Sequence, residues 1–267
     1  MVDTIYALSS GSPPAAIAII RMSGPATENA LKALAGSLPE PRRAAARVLK
    51  NGDGAVLDHA LVLWIPGSKT VTGEDVGELH LHGGRAVVAA VKTALGALPG
   101  LRAAEAGEFT RRAFANGRID LAEAEGLADL LSAETELQRQ SAVALASGAF
   151  STQVGAWREK LLRLSSLVEA ALDFSDEDDV PYLPDAFGNQ IDELTDELAA
   201  WLNQPRSEVL KEGFRVVLAG PPNTGKSSLF NALLEDEAAI IAETAGTTRD
   251  VLERSISLKG IPFAFVD

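Results

Sequence analysis

The chain has 267 residues, 46% of them hydrophobic, enough for a sizeable core and, by length, for roughly one to three domains. Its formal net charge is −13, so most of its surface repels a nucleic-acid backbone, and any RNA contact needs a local basic patch or a partner protein. The absence of cysteine excludes a disulfide framework and thiolate chemistry within these residues and fits a reducing cytoplasm. The start MVDTIYALSS lacks the basic and apolar regions of a secretory signal, and the nearby run AAIAII is too short to cross a bilayer.

Up to about Arg118 the pattern mixes short strands and helices. AAIAIIRMSG and ALVLWIPG read as buried strands closed by Gly or Pro. In GELHLHGG, Leu79 and Leu81 face one way while Glu78, His80 and His82 face the other. RAVVAAVKTALGAL then reads as a helix starting just after the glycines. Residues 1–118 are therefore expected to form an N-terminal α/β domain.

From 119 to 210 no strand pattern occurs, and a central helical domain is expected. One helical stripe carries Leu121, Ala124 and Ala128, a second Leu161, Leu164, Val168 and Leu172, and a third Ile191, Leu194, Leu198 and Leu202. DEDDVPYLP separates the last two. Two or three such helices do not close a bundle, so its remainder is expected C-terminal to these residues or in another subunit. The carboxylates of DFSDEDD read as a solvated helix end, and Trp64, Trp157 and Trp201 as packing residues.

A third region, 213–267, opens with the apolar strand FRVVLAG and continues with GPPNTGKS, which fits G-x-x-x-x-G-K-[ST] at Gly220, Gly225, Lys226 and Ser227. Glycines let backbone N–H groups turn inward around phosphate oxygens, and the following helix adds its N-terminal dipole. Lys226 is expected to reach the β and γ phosphates and Ser227 to ligate Mg²⁺. AGTTRD supplies Thr247 and Thr248, one of which can sense the γ-phosphate. ERSISLKGIPFAFVD reads as a hairpin turning near Lys259 and Gly260, with Asp267 placed to support Mg²⁺. These residues define a Mg²⁺-dependent nucleotide-binding fold without deciding the base, so an ATP-using enzyme such as a kinase stays open at this level. The truncated strand edges after Gly213 are expected to leave that segment locally disordered.

The order GPPNTGKSSLFNAL, AGTTRD, FVD resembles translation-factor-related GTPases. TGEDVGELHLHGG, GEFTRRAFANGRIDLAEAEGLADL, GAFS and EAALDFSDED narrow the resemblance to the tRNA uridine-modification GTPases called MnmE or TrmE, over nearly the whole chain. The resemblance implies an α+β multi-domain protein whose N-terminal domain forms a homodimer and binds a tetrahydrofolate such as 5-formyltetrahydrofolate, with a GTPase domain inserted into the helical one. It implies a cytoplasmic, membrane-free enzyme. With a flavin- and NADH-dependent partner protein, such enzymes add an aminomethyl or carboxymethylaminomethyl group at carbon 5 of the wobble uridine of tRNA. Their GTP hydrolysis depends on potassium.

Residue by residue, the resemblance implies folate contacts at Arg21, Glu78 and Arg118. It implies nucleotide contacts at Gly220, Asn223, Thr224, Gly225, Lys226, Ser227, Ser228, Thr247 and Thr248, with Lys226 and Thr248 catalytic. Ser227 and Thr248 match Mg²⁺ ligands, and Asn223, Thr247 and the backbone of Ala242 and Thr244 match a K⁺ enclosure. Two departures stand out. SPPAAIAII replaces the family's Gly-rich PPGRGG segment, and the DTAG, N-K-x-D and C-terminal cysteine motifs fall beyond Asp267. The chain is expected to keep folate binding and dimerisation but not efficient GTP hydrolysis. The competing reading is a folate-free dimerisation scaffold. Glu78, His80 and His82 read as a polar strand face rather than a metal site. Arg102, Arg111, Arg112 and Arg118 are read either as a tRNA-facing cluster or as solvated arginines paired with Glu105 and Glu108.

Overall fold

Alternating side chains build the sheet that organises the first half of the chain. The computed structural model describes residues 3–173 and 183–203 and, further on, 213–217, 219–221, 224–225, 229, 232, 253–258 and 260–266. The chain divides into two compact units, Met1–Asp120 and Leu121–Asp267.

In the first unit, β1 (Thr4–Leu8), β2 (Ile17–Ser23), β3 (Ala45–Lys50), β4 (Val56–Ile65), β5 (Val76–His82) and β6 (Leu101–Ala103) form one sheet in the order β3-β4-β5-β2-β1-β6. Neighbours run antiparallel except β1 and β6. Ala18, Ile20 and Met22 of β2 join Leu79 and Leu81 of β5 and Ala60 and Val62 of β4 in one core. That face packs under α1 (Thr27–Ala35) and α2 (Arg85–Gly96), which contribute Leu31, Leu34, Val88, Val91 and Leu95. The period of two sends Arg21, Glu78 and His80 to the opposite face. A short helix, α3 (Glu108–Ala115), follows β6.

The second unit begins with α4 (Leu121–Ser132), α5 (Glu136–Ala146), α6 (Ala149–Asp173) and α7 (Phe187–Leu202). The helical run that opens with the stripe of Leu121, Ala124 and Ala128 thus divides into two helices, the stripe itself lying in α4. Thr135 ends the run because its side chain caps the Gln138 N–H while Gln138 Oε1 accepts from the Thr135 N–H at 2.8 Å, a capping box that starts a new helix. Gly126 lets α4 meet α5 backbone to backbone: a Cβ there would lie 2.4 Å from the Ala146 nitrogen. Trp157 and Trp201 pack edge to face at 5.4 Å between α6 and α7, whose buried residues include Leu164 and Leu194. Much of the apolar surface of these helices stays open, with Leu131 83% and Leu202 78% exposed.

Three further strands, β7 (Phe214–Val217), β8 (Glu253–Leu258) and β9 (Ile261–Val266), form a sheet in the order β7-β9-β8. β9 pairs parallel with β7 and antiparallel with β8, the hairpin turning through Gly260 at φ +80°. Among the described residues after Gly213, β9 sits between β7 and β8 and pairs with both, while β7 and β8 each keep one open edge within this sheet. The acidic stretch from Phe174 to Asp179 lies outside the described residues.

Replacing Gly126 by Ala drives a methyl into the backbone of α5. The variant is expected to lose about 1–3 kcal/mol, the usual cost of overpacking, read as a lower urea midpoint followed by tryptophan fluorescence.

Candidate functional site

The sheet register brings two of the sequence-selected residues side by side. Arg21 of β2 is paired with Glu78 of β5 on the face away from α1 and α2. The Arg21 Nε donates to Glu78 Oε1 at 2.9 Å, and His80 Nε2 lies 3.0 Å from Glu78 Oε2. Burial pushes the Glu78 carboxyl up, but the hydrogen bonds from His80 and Arg21 outweigh it and hold the group below its ordinary value. Glu78 is therefore an ionised, half-buried acceptor on a rigid strand.

Arg118, 40 residues further along the chain than Glu78, reaches the same place. It follows α3, and its Nε donates to the Thr70 carbonyl at 3.0 Å. Arg21, Glu78 and Arg118 line one cavity of about 320 Å³ together with Arg42, Ile65, Lys69, Thr70, Val71 and Val76. All three sequence-expected residues thus share a single site. Arg42 and Lys69 were not singled out by sequence, since no linear motif links 42 and 69 to the strands. Arg42 is the sole non-glycine at positive φ (62°) among the described residues, and its Nη2 donates to the Lys69 carbonyl at 2.9 Å.

The cavity wall between 66 and 75 is a loop, so something must hold it. Asn116 Nδ2 donates to the Thr72 carbonyl at 2.7 Å, and Ser23 Oγ meets Thr72 Oγ1 at 2.7 Å and Glu74 Oε2 at 2.8 Å. Gly73, at φ +77°, passes so close to α3 that a Cβ would fall 2.9 Å from that of Asn116. The main anchor is Arg112, fully buried, with Nη1 3.1 Å from Glu74 Oε2 and Nη2 2.9 Å from Asp3 Oδ1 and 3.2 Å from Glu108 Oε1. This corrects the sequence reading of solvated arginines. Arg111 is solvated and pairs with Glu105 at 3.0 Å, and Arg102 pairs with Asp3 and Glu108, but Arg112 is internal.

The residues expected to contact a nucleotide are only partly within the described residues. After β7, Thr224 Oγ1 donates to the Pro221 carbonyl at 2.8 Å, Gly225 takes φ +85°, and the Leu229 N–H donates to the Gly225 carbonyl at 2.9 Å, as in a first helical turn. Gly220 lies in the same stretch. Asn223, Lys226, Ser227, Ser228, Ala242, Thr244, Thr247, Thr248 and Asp267 lie outside the described residues. Among the described residues no group of three or more His, Asp or Glu side chains is arranged to hold a metal, and no helix is long and apolar enough to span a membrane.

Taken together, the six-stranded α/β unit with its loop-walled cavity and the helical unit that follows match two family models. Residues 4–118 match the one described as GTP-binding protein TrmE N-terminus, and residues 121–261 the MnmE helical domain. The chain belongs to the MnmE (TrmE) family. It is 63% identical over 265 residues to a protein of Erythrobacter litoralis named tRNA modification GTPase MnmE, covering 99% of this chain and 62% of that protein. It is 62% identical to the protein of the same name from Novosphingobium aromaticivorans, covering 100% of this chain and 63% of that one, and 50% identical to that of Sinorhizobium medicae, covering 99% and 61%. The chain therefore spans about three fifths of the length of these relatives.

Two tests address the anchor of the cavity loop. Replacing Arg112 by Met leaves buried Glu108 and Glu74 without their shared cation and is expected to cost about 3–5 kcal/mol in denaturant unfolding. The Arg102 guanidinium, against desolvation, holds the Glu108 carboxyl down to about 2 from an ordinary 4.5. A carboxylate lowered in the folded state stabilises it above pH 4.5 and loses that contribution as pH falls toward 2. Stability measured by circular dichroism is expected to fall across this interval, and to fall less steeply in Glu108→Gln.

Proposed function

We propose that the N-terminal unit binds a reduced folate, such as 5-formyltetrahydrofolate, in the cavity between Arg21, Glu78 and Arg118. The longer protein to which these residues correspond would then be a GTP-hydrolysing tRNA-modification enzyme. The observation that carries the folate reading is the convergence of those three residues on one cavity with an apolar wall of Ile65, Val71 and Val76. A pterin presents a flat face and an edge of N–H donors. An ionised carboxylate fixed by Arg21 and His80 accepts from such an edge, and the apolar wall takes the face. Glu78 thus orients the heterocycle, and Arg118 meets the first glutamate of the ligand. The folate would supply the one-carbon unit that becomes part of the modified base.

For the nucleotide, the glycine turn at Gly225 and the helical turn after it fit a backbone cradle for phosphate, with Gly220 and Thr224 beside it. Lys226 and Ser228 would meet the phosphates, Ser227 and Thr248 would hold Mg²⁺ with support from Asp267, and Asn223, Ala242, Thr244 and Thr247 would enclose K⁺. These assignments rest on the family's motifs. The relatives' printed name supports tRNA as the substrate and GTP as the nucleotide. A homodimer through the N-terminal unit, a flavin- and NADH-dependent partner and a cytoplasmic location complete the reading, as does weak GTP hydrolysis by the present residues alone.

Calorimetric titration of the chain with 5-formyltetrahydrofolate tests the folate reading. Each of Arg21→Ala and Glu78→Ala removes a charged hydrogen-bonding group worth about 1.5–3 kcal/mol, so affinity is expected to fall by about tenfold or more in each. A folded parent that shows no binding would instead favour the dimerisation scaffold.

A further inference from the structure

The cavity carries more positive charge than a pterin requires. Its lining holds four cations, Arg21, Arg42, Lys69 and Arg118, against one carboxylate, Glu78, and that carboxylate is already engaged by Arg21 and His80. Among the described residues, Arg42, Lys69 and Arg118 form no ion pair. Such clustering of like charge is unfavourable in itself, and it stands out in a chain whose net charge is −13.

The neighbouring residue makes the point for Arg42. Arg43 pairs with Glu40 at 3.1 Å, the ordinary fate of an arginine beside a carboxylate. Arg42 instead adopts a left-handed backbone that a side chain disfavours, and donates Nη2 to the Lys69 carbonyl. This draws two cations, from segments 27 residues apart, to the same rim. Arg118 is held by the Thr70 carbonyl of the same loop. Backbone carbonyls fix the positions of both guanidiniums without neutralising them, which leaves their charge for a ligand.

Position within the cavity separates the roles. Arg21 and Glu78 sit deep, with side chains 34% and 15% exposed, on adjacent strands. Arg42, Lys69 and Arg118 are all exposed residues at the opening. A folate seated pterin-inward directs its glutamate end outward, toward that opening. One glutamate presents two carboxylates, whereas three mutually unpaired cations match a longer anionic chain.

We infer that the rim formed by Arg42 and Lys69 recognises the γ-linked polyglutamate tail of the reduced folate and makes polyglutamylated forms the preferred ligands of this site. Each added glutamate contributes one further carboxylate, and Coulomb attraction between exposed groups persists over several ångströms at low ionic strength. The inference rests on the folate reading above.

The test compares the mono- and pentaglutamate forms of 5-formyltetrahydrofolate by calorimetry on the chain, at low salt and again at about 0.5 M salt. The pentaglutamate is expected to bind about tenfold tighter at low salt, with most of the gain lost at high salt. In a double variant, Arg42→Gly with Lys69→Ala, the gain is expected to vanish while monoglutamate affinity stays within about twofold. Glycine suits the positive φ at 42, and both positions are exposed, so the fold is preserved, as circular dichroism checks. Equal affinity for the two ligands in the parent, or a gain that survives in the double variant, overturns this inference and leaves the folate reading intact. No binding of either ligand to a folded parent overturns both.

Discussion

Arg112 holds a full positive charge out of reach of water, and the first unit is arranged around satisfying it. Burial pushes the guanidinium pKa down, and the hydrogen bonds to Glu74 and Glu108 more than reverse that. Its partners come from three separate places: Asp3 just before the first strand, Glu74 in the loop before β5, and Glu108 at the start of α3. Glu108 in turn takes Arg102 from β6, whose other partner is again Asp3. Nε of Arg112 is the one buried polar atom of the group without a partner. Such a network adds little net stability compared with apolar packing, since desolvation offsets most of the attraction. What it supplies is position: chain segments that share no sequence neighbourhood can satisfy one another in a single arrangement only.

The cavity inherits that arrangement. Its floor is made by strand register, which needs nothing from Arg112, since Arg21 and Glu78 face each other wherever β2 and β5 pair as they do. Its wall is the loop of residues 66–75, and a loop of that length has no register to define it. Glu74 on Arg112, Thr72 on Ser23 and Asn116, and Thr70 on Arg118 supply the definition that a strand would get from its ladder. The arginine three residues past the end of α3 therefore serves twice. Arg118 shapes the wall through its Nε and presents the rest of its charge at the opening.

This division explains what could be read from the amino-acid order. The alternation in GELHLHGG separates Leu79 and Leu81 from Glu78 and His80, because a strand has a period of two and one face is covered by helices. The structure keeps that separation. The break between α4 and α5 was also written in the sequence, as Thr135 with Gln138 three residues on, but the apolar spacing on either side hid it. Arg111 and Arg112 mark the opposite limit. They are adjacent and chemically identical, yet one is exposed and the other fully buried, and only tertiary packing chooses between them. Arg42 and Lys69 were silent for a similar reason: their meaning depends on a backbone dihedral and a carbonyl contact that no residue pattern encodes.

A consequence follows for how binding and stability are joined in this unit. A ligand that rests on the wall of residues 66–75 binds only the state in which Glu74 sits on Arg112, and so it stabilises that state by mass action. Acid attacks the same state from the other side, because protonating Glu108 or Asp3 removes charge that Arg112 and Arg102 require. Ligand occupancy and proton uptake are therefore opposed through one buried cation, although neither the ligand nor the proton touches it. The strands below need not move for this to occur. The segments tied by Arg112 are a loop, the residues before β1 and a two-turn helix, held by side-chain contacts rather than by a strand ladder, while β2 and β5 remain fixed by their ladders and by the core beneath. Affinity at the cavity should thus be lost with acid before the sheet itself comes apart, and the loop is the element through which that loss is transmitted.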